Sequence, residues 1–187
     1  VSGAEPALIS TELECPVLSL HDAQPAPPEL FGAVWEALGA ADWRRGEFGV
    51  ERERRLVPRA LCINTAQAMA TDTGPTIELV PSPVRSLAGV ARQLESLAAE
   101  AGAVLDSLGY GMLASGVHPT LRAVPADYYR FRTRRPSYDY VIRERGWSHW
   151  SIINIASVQE IVDVRFEDAP RAIRVLHRLA GLMNFLL

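Results

Sequence analysis

Residues 7–18, ALISTELECPVL, decide how this chain folds. They alternate in character: Ile9, Thr11, Leu13 and Cys15 fall on one face of an extended strand, and Ser10, Glu12 and Glu14 on the other. A two-residue period with one acidic side describes a half-buried strand, so one sheet face should carry the core and the other should carry charge.

The segments on either side extend that reading. A Pro-rich turn from Gln24 to Pro28 leads into a short helix over Glu29–Gly39, with Leu30, Val34 and Leu38 on one stripe. Trp43–Arg55 is charged and reads as a loop or an exposed hairpin. Arg59–Thr65 (RALCINT) and Thr76–Pro81 (TIELVP) read as two strands separated by a turn centred on Thr71–Pro75. Ser82-Pro83 predicts the start of a long helix, a cap residue followed by proline at the first helical position. Leu87, Val90, Leu94, Leu97, Ala101, Val104 and Leu108 keep its spacing, and Gly109 stops it. Tyr110–Val117 should be a strand running into Gly116-Val117-His118-Pro119. Residues 120–147 are rich in Arg and Tyr and read as a substrate-facing loop with helical turns. Ser151–Val164 reads as a long strand, and Asp168 as the cap of a last helix running to Leu187. Helices inserted between hairpin-like strand pairs give an α+β fold, a mostly antiparallel sheet with helices on one face.

Composition narrows the function classes. A chain of 187 residues suits a single domain over 1–187, with 48% apolar and 22% charged residues. A net charge of −3 gives no overall attraction to nucleic acid or anionic lipid. All 19 basic residues are Arg, which excludes every lysine-based mechanism, including a Schiff base or a P-loop lysine. Cys15 and Cys62 are too few for a disulfide scaffold and read as buried free thiols. No signal-peptide pattern or membrane-length apolar run is visible, so the expected location is cytoplasmic, with no nucleic-acid or membrane partner. The chain starts at Val1 and stops inside an apolar helix, as a processed or shortened chain would.

Three acidic residues on strands can converge. Glu12 and Glu14 sit two apart, and Glu78 lies between Ile77 and Leu79 with the opposite parity from both. Mg²⁺ takes oxygen ligands, a few carboxylates together with water and substrate phosphates, and rigid adjacent strands place carboxylates well for that purpose. The plainer reading is that Glu12 and Glu14 simply face solvent. Glu78 resists that reading because it interrupts an apolar strand.

The segments TELECPVL, TDTGPTIELVPSP, GVHP and ASVQEIVDV, in this order and spacing, resemble the glutamate–cysteine ligase family of the plant and bacterial type, which includes related carboxylate–amine ligases. The resemblance runs from Thr11 to Leu187. It implies a glutamine-synthetase-like antiparallel sheet forming a half-funnel. The implied activity is ATP- and Mg-dependent: γ-glutamyl transfer from glutamate to cysteine or another amine through an acyl phosphate. It implies Glu12, Glu14 and Glu78 as metal ligands, with Glu78 central to catalysis, and His118 as a ligand or a nearby polar contact. Gln159 would face the nucleotide or metal.

Two departures from the family pattern stand out. The family's late strand commonly reads Gln-x-His-Val-Asp-Val, and here Ile161 takes the histidine's place while Glu160 points the other way. Relatives are also about twice as long by the resemblance, so this chain is expected to be one part of the full catalytic domain. The rival reading is therefore a non-catalytic or degenerate subunit that pairs with a partner chain.

The remaining groups have modest readings. His118 before Pro119 can equally end a strand with a backbone hydrogen bond, and His21, His149 and His177 read as surface residues. Arg130, Arg132, Arg134 and Arg135 alternate with Tyr128, Tyr129 and Phe131; they read as binding a substrate carboxylate or phosphate, with Arg132 the choice, or as a solvated face. The apolar stripe of the last helix (Ile173, Leu176, Leu179, Ala180, Met183) needs a covering surface, so self-association or a partner chain is expected.

Overall fold

A computed structural model describes residues 7–39, 44–46, 60–63, 67–72, 74–122, 124–132, 136–149 and 155–186. Strand β1, Ile9–Ser19, is the axis of the sheet. Around it lie β2 (Arg44–Gly46), β3 (Ala60–Ile63), β4 (Gln67–Thr71), β5 (Thr76–Val80), β6 (Tyr110–Met112) and β7 (Val158–Val162). The sheet order is β2-β3-β4-β5-β1-β6, β7 also pairs with β1, and every pairing is antiparallel. β5 lies along residues 13–16 of β1, β7 along 9–13 and β6 along 17–19. Glu14 N donates to Ser157 O, and Pro16 O accepts from Leu113 N. Alternate β1 residues therefore address the edge that β7 and β6 share, opposite β5.

The alternation read from the sequence holds over Leu13–Val17, whereas Ser10, expected on the face with Glu12 and Glu14, is buried and its Oγ donates to Pro81 O at 2.8 Å. Cys15, Val17, Ile77, Leu79 and Met69 are buried on one face, under helices α1 (Pro28–Gly39) and α2 (Leu87–Ser107). α1 contributes Leu30, Phe31, Val34, Trp35 and Leu38, and α2 contributes Leu97, Ala101 and Leu105. The fold is α+β, with these two helices on one face of the antiparallel sheet.

Several boundaries differ from the sequence expectation, each for a local reason. α2 starts at Leu87 with Ser86 as its cap, whose Oγ accepts from Gly89 N at 3.1 Å. Ser82 cannot begin the helix because its backbone is bound at both ends by Gln93, at 2.9 and 3.2 Å. Val84 meanwhile exchanges two backbone hydrogen bonds with Ile9. Leu87, placed outside the packed stripe by this later start, is 73% exposed. Gly109, at φ +81°, does end the helix. Strand β4, QAMAT, was not expected: its Ala and Gln have weak strand preference, and tertiary pairing imposes the conformation.

β6 stops at Met112, and Val117 makes only an isolated bridge to Ile155. β7 likewise covers only Val158–Val162, because the chain changes partners from Gly116 to β1 around Ala156. The supposed loop at 120–147 contains two helices, α3 (Pro125–Phe131) and α4 (Pro136–Arg145). Each begins on a proline, whose fixed φ suits the first turn. Asp168 closes a 3₁₀ turn, Phe166–Asp168, and its carboxylate accepts from Arg165 Nε at 2.8 Å instead of capping the last helix, α5 (Ala169–Leu186). Of the Trp43–Arg55 segment, residues 44–46 form β2; the rest lies outside the described residues, as do Arg134, Arg135 and 151–154. Cys15 is a buried free thiol, as expected; the Cys62 side chain is outside the described set.

Candidate functional site

The sheet face opposite the helices gathers the acidic residues. Glu14 lies directly across from Glu78, which in turn lies across from Ala70. Glu14 spends its backbone bond on Ser157, so towards β5 it forms the non-hydrogen-bonded type of pair, in which facing side chains come closest. Two carboxylates placed this way repel unless something positive or protonated comes between them. On the other edge Glu12 faces Gln159, in register with it.

Glu14 is the best-defined group of the site. Its Oε2 accepts from Ser157 N at 2.8 Å and Ser157 Oγ at 3.1 Å, and its Oε1 from Gln159 Nε2 at 3.4 Å. Burial pushes its pKa above the usual 4.5, the nearby charge of Asp72 raises it further, and the donors of Ser157 and Gln159 pull the other way. Burial and Asp72 win. The same burial, helped by the Glu14 charge, pushes the Cys15 thiol up. Sequence reasoning missed Asp72 because it missed β4, which carries that residue to the site. It also missed Ser157, which the alternation 157, 159, 161 could have put on the Gln159 face. Beyond Gln159 this face turns apolar: an open pocket is lined by Leu8, Ser10, Pro83 and Ile161–Val164.

His118 and Arg132 are placed differently. His118 is 3% exposed; its Nδ1 accepts from Thr120 N at 3.3 Å, so its Nε2 carries the proton that faces Val17 O at 3.2 Å. Burial lowers its pKa, and the ring is a neutral strut tying the 118–120 turn to β1. Arg132 stacks over Tyr128 and Tyr129, at 4.9 and 4.8 Å from the ring centroids, and forms an ion pair with Asp139. These residues belong to a second small core built on Leu121, Tyr128 and Phe131, separate from the main one. The structure thus brings Glu12, Glu14, Glu78 and Gln159 to one sheet face, whereas Arg132 stands in the α3–α4 cluster and His118 serves the backbone. His21 and His177 are exposed as expected, whereas His149 stacks edge-on against Tyr128 at 5.0 Å.

The donors on the acidic face are all hard oxygens, which fits Mg²⁺ or another hard cation. Among the described residues no group of three or more His, Cys, Asp or Glu side chains is placed to hold a metal ion. A hard cation here would have at most two carboxylates such as Glu14 and Glu78 for protein ligands and would need water or phosphate for the rest. Among the described residues no helix is long and apolar enough to cross a membrane.

No curated protein matches the chain. The family model of glutamate–cysteine ligase family 2 matches residues 10–186, from the first residues of β1 to the end of α5. That span covers nearly the whole chain and takes in the described strands and helices, so the chain belongs to glutamate–cysteine ligase family 2, a family of carboxylate–amine ligase type.

Proposed function

We propose that this chain carries the metal–nucleotide side of an ATP-dependent carboxylate–amine ligase, which transfers a γ-glutamyl group to cysteine or another amine. The supporting observation is Glu14: a half-buried carboxylate facing Glu78 across the sheet, near Asp72, with its pKa raised by burial and like charge. Such a site is relieved when a cation arrives. In the reaction, a γ-carboxylate oxygen of glutamate attacks the terminal phosphorus of ATP, and ADP leaves. The amine nitrogen then attacks the acyl carbon, phosphate leaves and the nitrogen loses a proton. Mg²⁺, when bound, supplies charge neutralisation for the transferring phosphoryl group.

The chain's own residues prepare for this. Glu14 and Glu78 would hold the ion, and Glu12 would stand beside them on the same face. Ser157 fixes the Glu14 carboxylate through two donors, and Gln159 bridges Glu14 and Ser157, with its amide also 3.3 Å from Ser157 Oγ. Rigid strands keep that geometry without the entropy cost of ordering a loop. Arg132 would bind a substrate carboxylate or phosphate only after exchanging Asp139 for it. His118 would act as a positioning contact beneath β1.

Calorimetry of ATP binding with Mg²⁺ and with chelator tests the reading. Binding should appear only with the divalent ion, and Glu78→Gln should abolish it while the protein stays folded. Equal affinity in chelator would overturn the metal site. No binding under either condition would favour a degenerate subunit, the reading that Ile161, 43% exposed on the Gln159 face, supports.

A further inference from the structure

Glu14 and Ser157 break the regular bonding of the sheet at the acidic face. The β1–β7 register runs as far as Leu13 opposite Val158, which sets Glu14 opposite Ser157 as the next pair. Glu14 N donates to Ser157 O at 2.9 Å, one of the two bonds that a hydrogen-bonded antiparallel pair exchanges. In a regular pair Ser157 N would return the other bond to Glu14 O. Here it gives its hydrogen to the Glu14 side chain, 2.8 Å from Oε2. A sheet bond is exchanged for a bond to a carboxylate, and the strand pairing ends there.

The side chains around that exchange leave the two Glu14 oxygens in different states. Oε2 accepts from Ser157 N and, at 3.1 Å, from Ser157 Oγ, which fills its lone-pair sites. Oε1 accepts from Gln159 Nε2 at 3.4 Å, longer than an ordinary N–H···O bond, so it keeps acceptor capacity. Gln159 Nε2 also lies 3.3 Å from Ser157 Oγ. An amide nitrogen can only donate there, so the serine oxygen accepts from it and sends its own hydrogen to Glu14. All of these donors come from the β7 side, whereas Glu78 faces Glu14 from β5. Without them the terminal carboxylate torsion is broad and two-fold, and either oxygen could be presented.

We infer that Ser157 is the positioning residue of the cation site: it saturates Oε2 of Glu14 and leaves Oε1 as the oxygen that takes the metal. Gln159 supports it by orienting the serine hydroxyl. That a cation binds here rests on the ligase reading; the ligating atom and the residue that selects it follow from the hydrogen bonds.

Mn²⁺ binding to the full 187-residue chain in the presence of ATP, followed by electron paramagnetic resonance, tests this in wild type, Ser157→Ala and Ser157→Thr. Ser157→Ala keeps the backbone donor and loses only the hydroxyl, on a half-buried residue. Its Mn²⁺ affinity should fall about tenfold or more, the loss typical of groups that support a metal ligand, with the denaturation midpoint unchanged. Ser157→Thr keeps the hydroxyl and should restore most of the affinity, which a role in sheet packing alone would not produce. Equal affinity in wild type and Ser157→Ala, or equal loss in both variants, would overturn the inference and leave the ligase reading standing. A wild type that binds no Mn²⁺ with ATP would overturn the ligase reading, and the inference with it. A second measurement needs neither metal nor a serine variant. The Ser157 amide proton should resonate downfield in the metal-free wild type and move upfield in Glu14→Gln, where its acceptor is neutral. An amide signal indifferent to that change would overturn the inference by itself.

Discussion

The acidic sheet face and the α3–α4 cluster use the same kinds of side chain for opposite ends. In the cluster each described carboxylate has a guanidinium beside it. Asp127 is 5% exposed and accepts from Arg122 Nε at 2.9 Å, Arg122 Nη2 at 2.8 Å and the Arg122 backbone N at 3.1 Å. Those bonds hold Asp127 below the usual 3.8. Asp139 pairs with Arg132, which also stacks on two tyrosines. On the sheet, Glu14 faces Glu78 with Asp72 near it, and its carboxyl is pushed up. Charges that serve the fold are paired with the opposite sign. On the acidic face carboxylates of three neighbouring chain segments come near one another, and burial with the Asp72 charge raises the Glu14 pKa, the kind of perturbation that marks a candidate site.

The contrast predicts where substitutions are felt, and the largest effect falls on the cluster. Tyr128 is fully buried at its centre. Tyr128→Ala should cost about 3–5 kcal/mol in chemical denaturation, as for other large aromatics removed from cores. Tyr128→Phe should cost far less, losing only the contacts of its hydroxyl with Arg132 Nη1 at 3.2 Å and Asp139 at 3.5 Å. Equal losses for the two would mean that the polar network, and not the packing, holds the cluster.

On the acidic face the effect moves from stability to binding. Glu78→Gln should leave the denaturation midpoint within about 1 kcal/mol of wild type, as for a volume-conserving change. It should weaken Mg²⁺-dependent nucleotide binding at least about 10–100-fold, the loss typical even of groups that only support a metal ligand. A strongly destabilised variant with metal binding intact would assign Glu78 to the structural class of Asp127.

The two regions should also respond to acid with opposite sign. The pKa of Asp127 is lower folded than unfolded, so its stabilisation is present above the unfolded value of 3.8 and is lost as pH falls through the folded value. The pKa of Glu14 is higher folded than unfolded, so its contribution is complete below the unfolded value of 4.5 and is lost as pH rises through the folded value. Denaturation as a function of pH should show Asp127→Asn losing part of the acid-side fall in stability. Glu14→Gln should instead gain stability near neutrality, because it removes a charge disfavoured first by burial and then by Asp72. The smallest effect belongs to Asp72→Asn, which should lower the Glu14 pKa without removing the larger effect of burial. A carboxyl-carbon NMR titration reads this directly, and an unchanged Glu14 pKa would place Asp72 outside the site.

Much of this contrast could be read in the sequence, and the exceptions have physical causes. The two-residue alternation of β1 and the lone Glu78 inside an apolar strand fixed the acidic face, because parity survives any packing detail. Asp72 escaped because QAMAT has little strand preference and becomes a strand only through its two neighbours. The cluster escaped because α3 and α4, of seven and ten residues, are too short for a clear helical period, and their apolar residues pack on Leu121 and on each other instead of on the sheet. For Arg132 the sequence shows a guanidinium suited to an anion, and the structure adds the Asp139 with which it pairs. The start of α2 was misplaced because Ser82-Pro83 has the local chemistry of a cap, whereas Gln93, eleven residues on, decides where Ser82 goes.

The central claim is that the cation site lies on the acidic face and not in the arginine-bearing cluster. Paramagnetic Mn²⁺ in place of Mg²⁺, added with ATP to isotope-labelled protein, reports the location directly through loss of nearby amide signals. The account predicts that the amides of Glu12, Glu14, Glu78 and Ser157 broaden first, and that those of Tyr128, Arg132 and Asp139 persist. Broadening centred on Asp127 and Asp139, or none at any residue while ATP still binds, would contradict it.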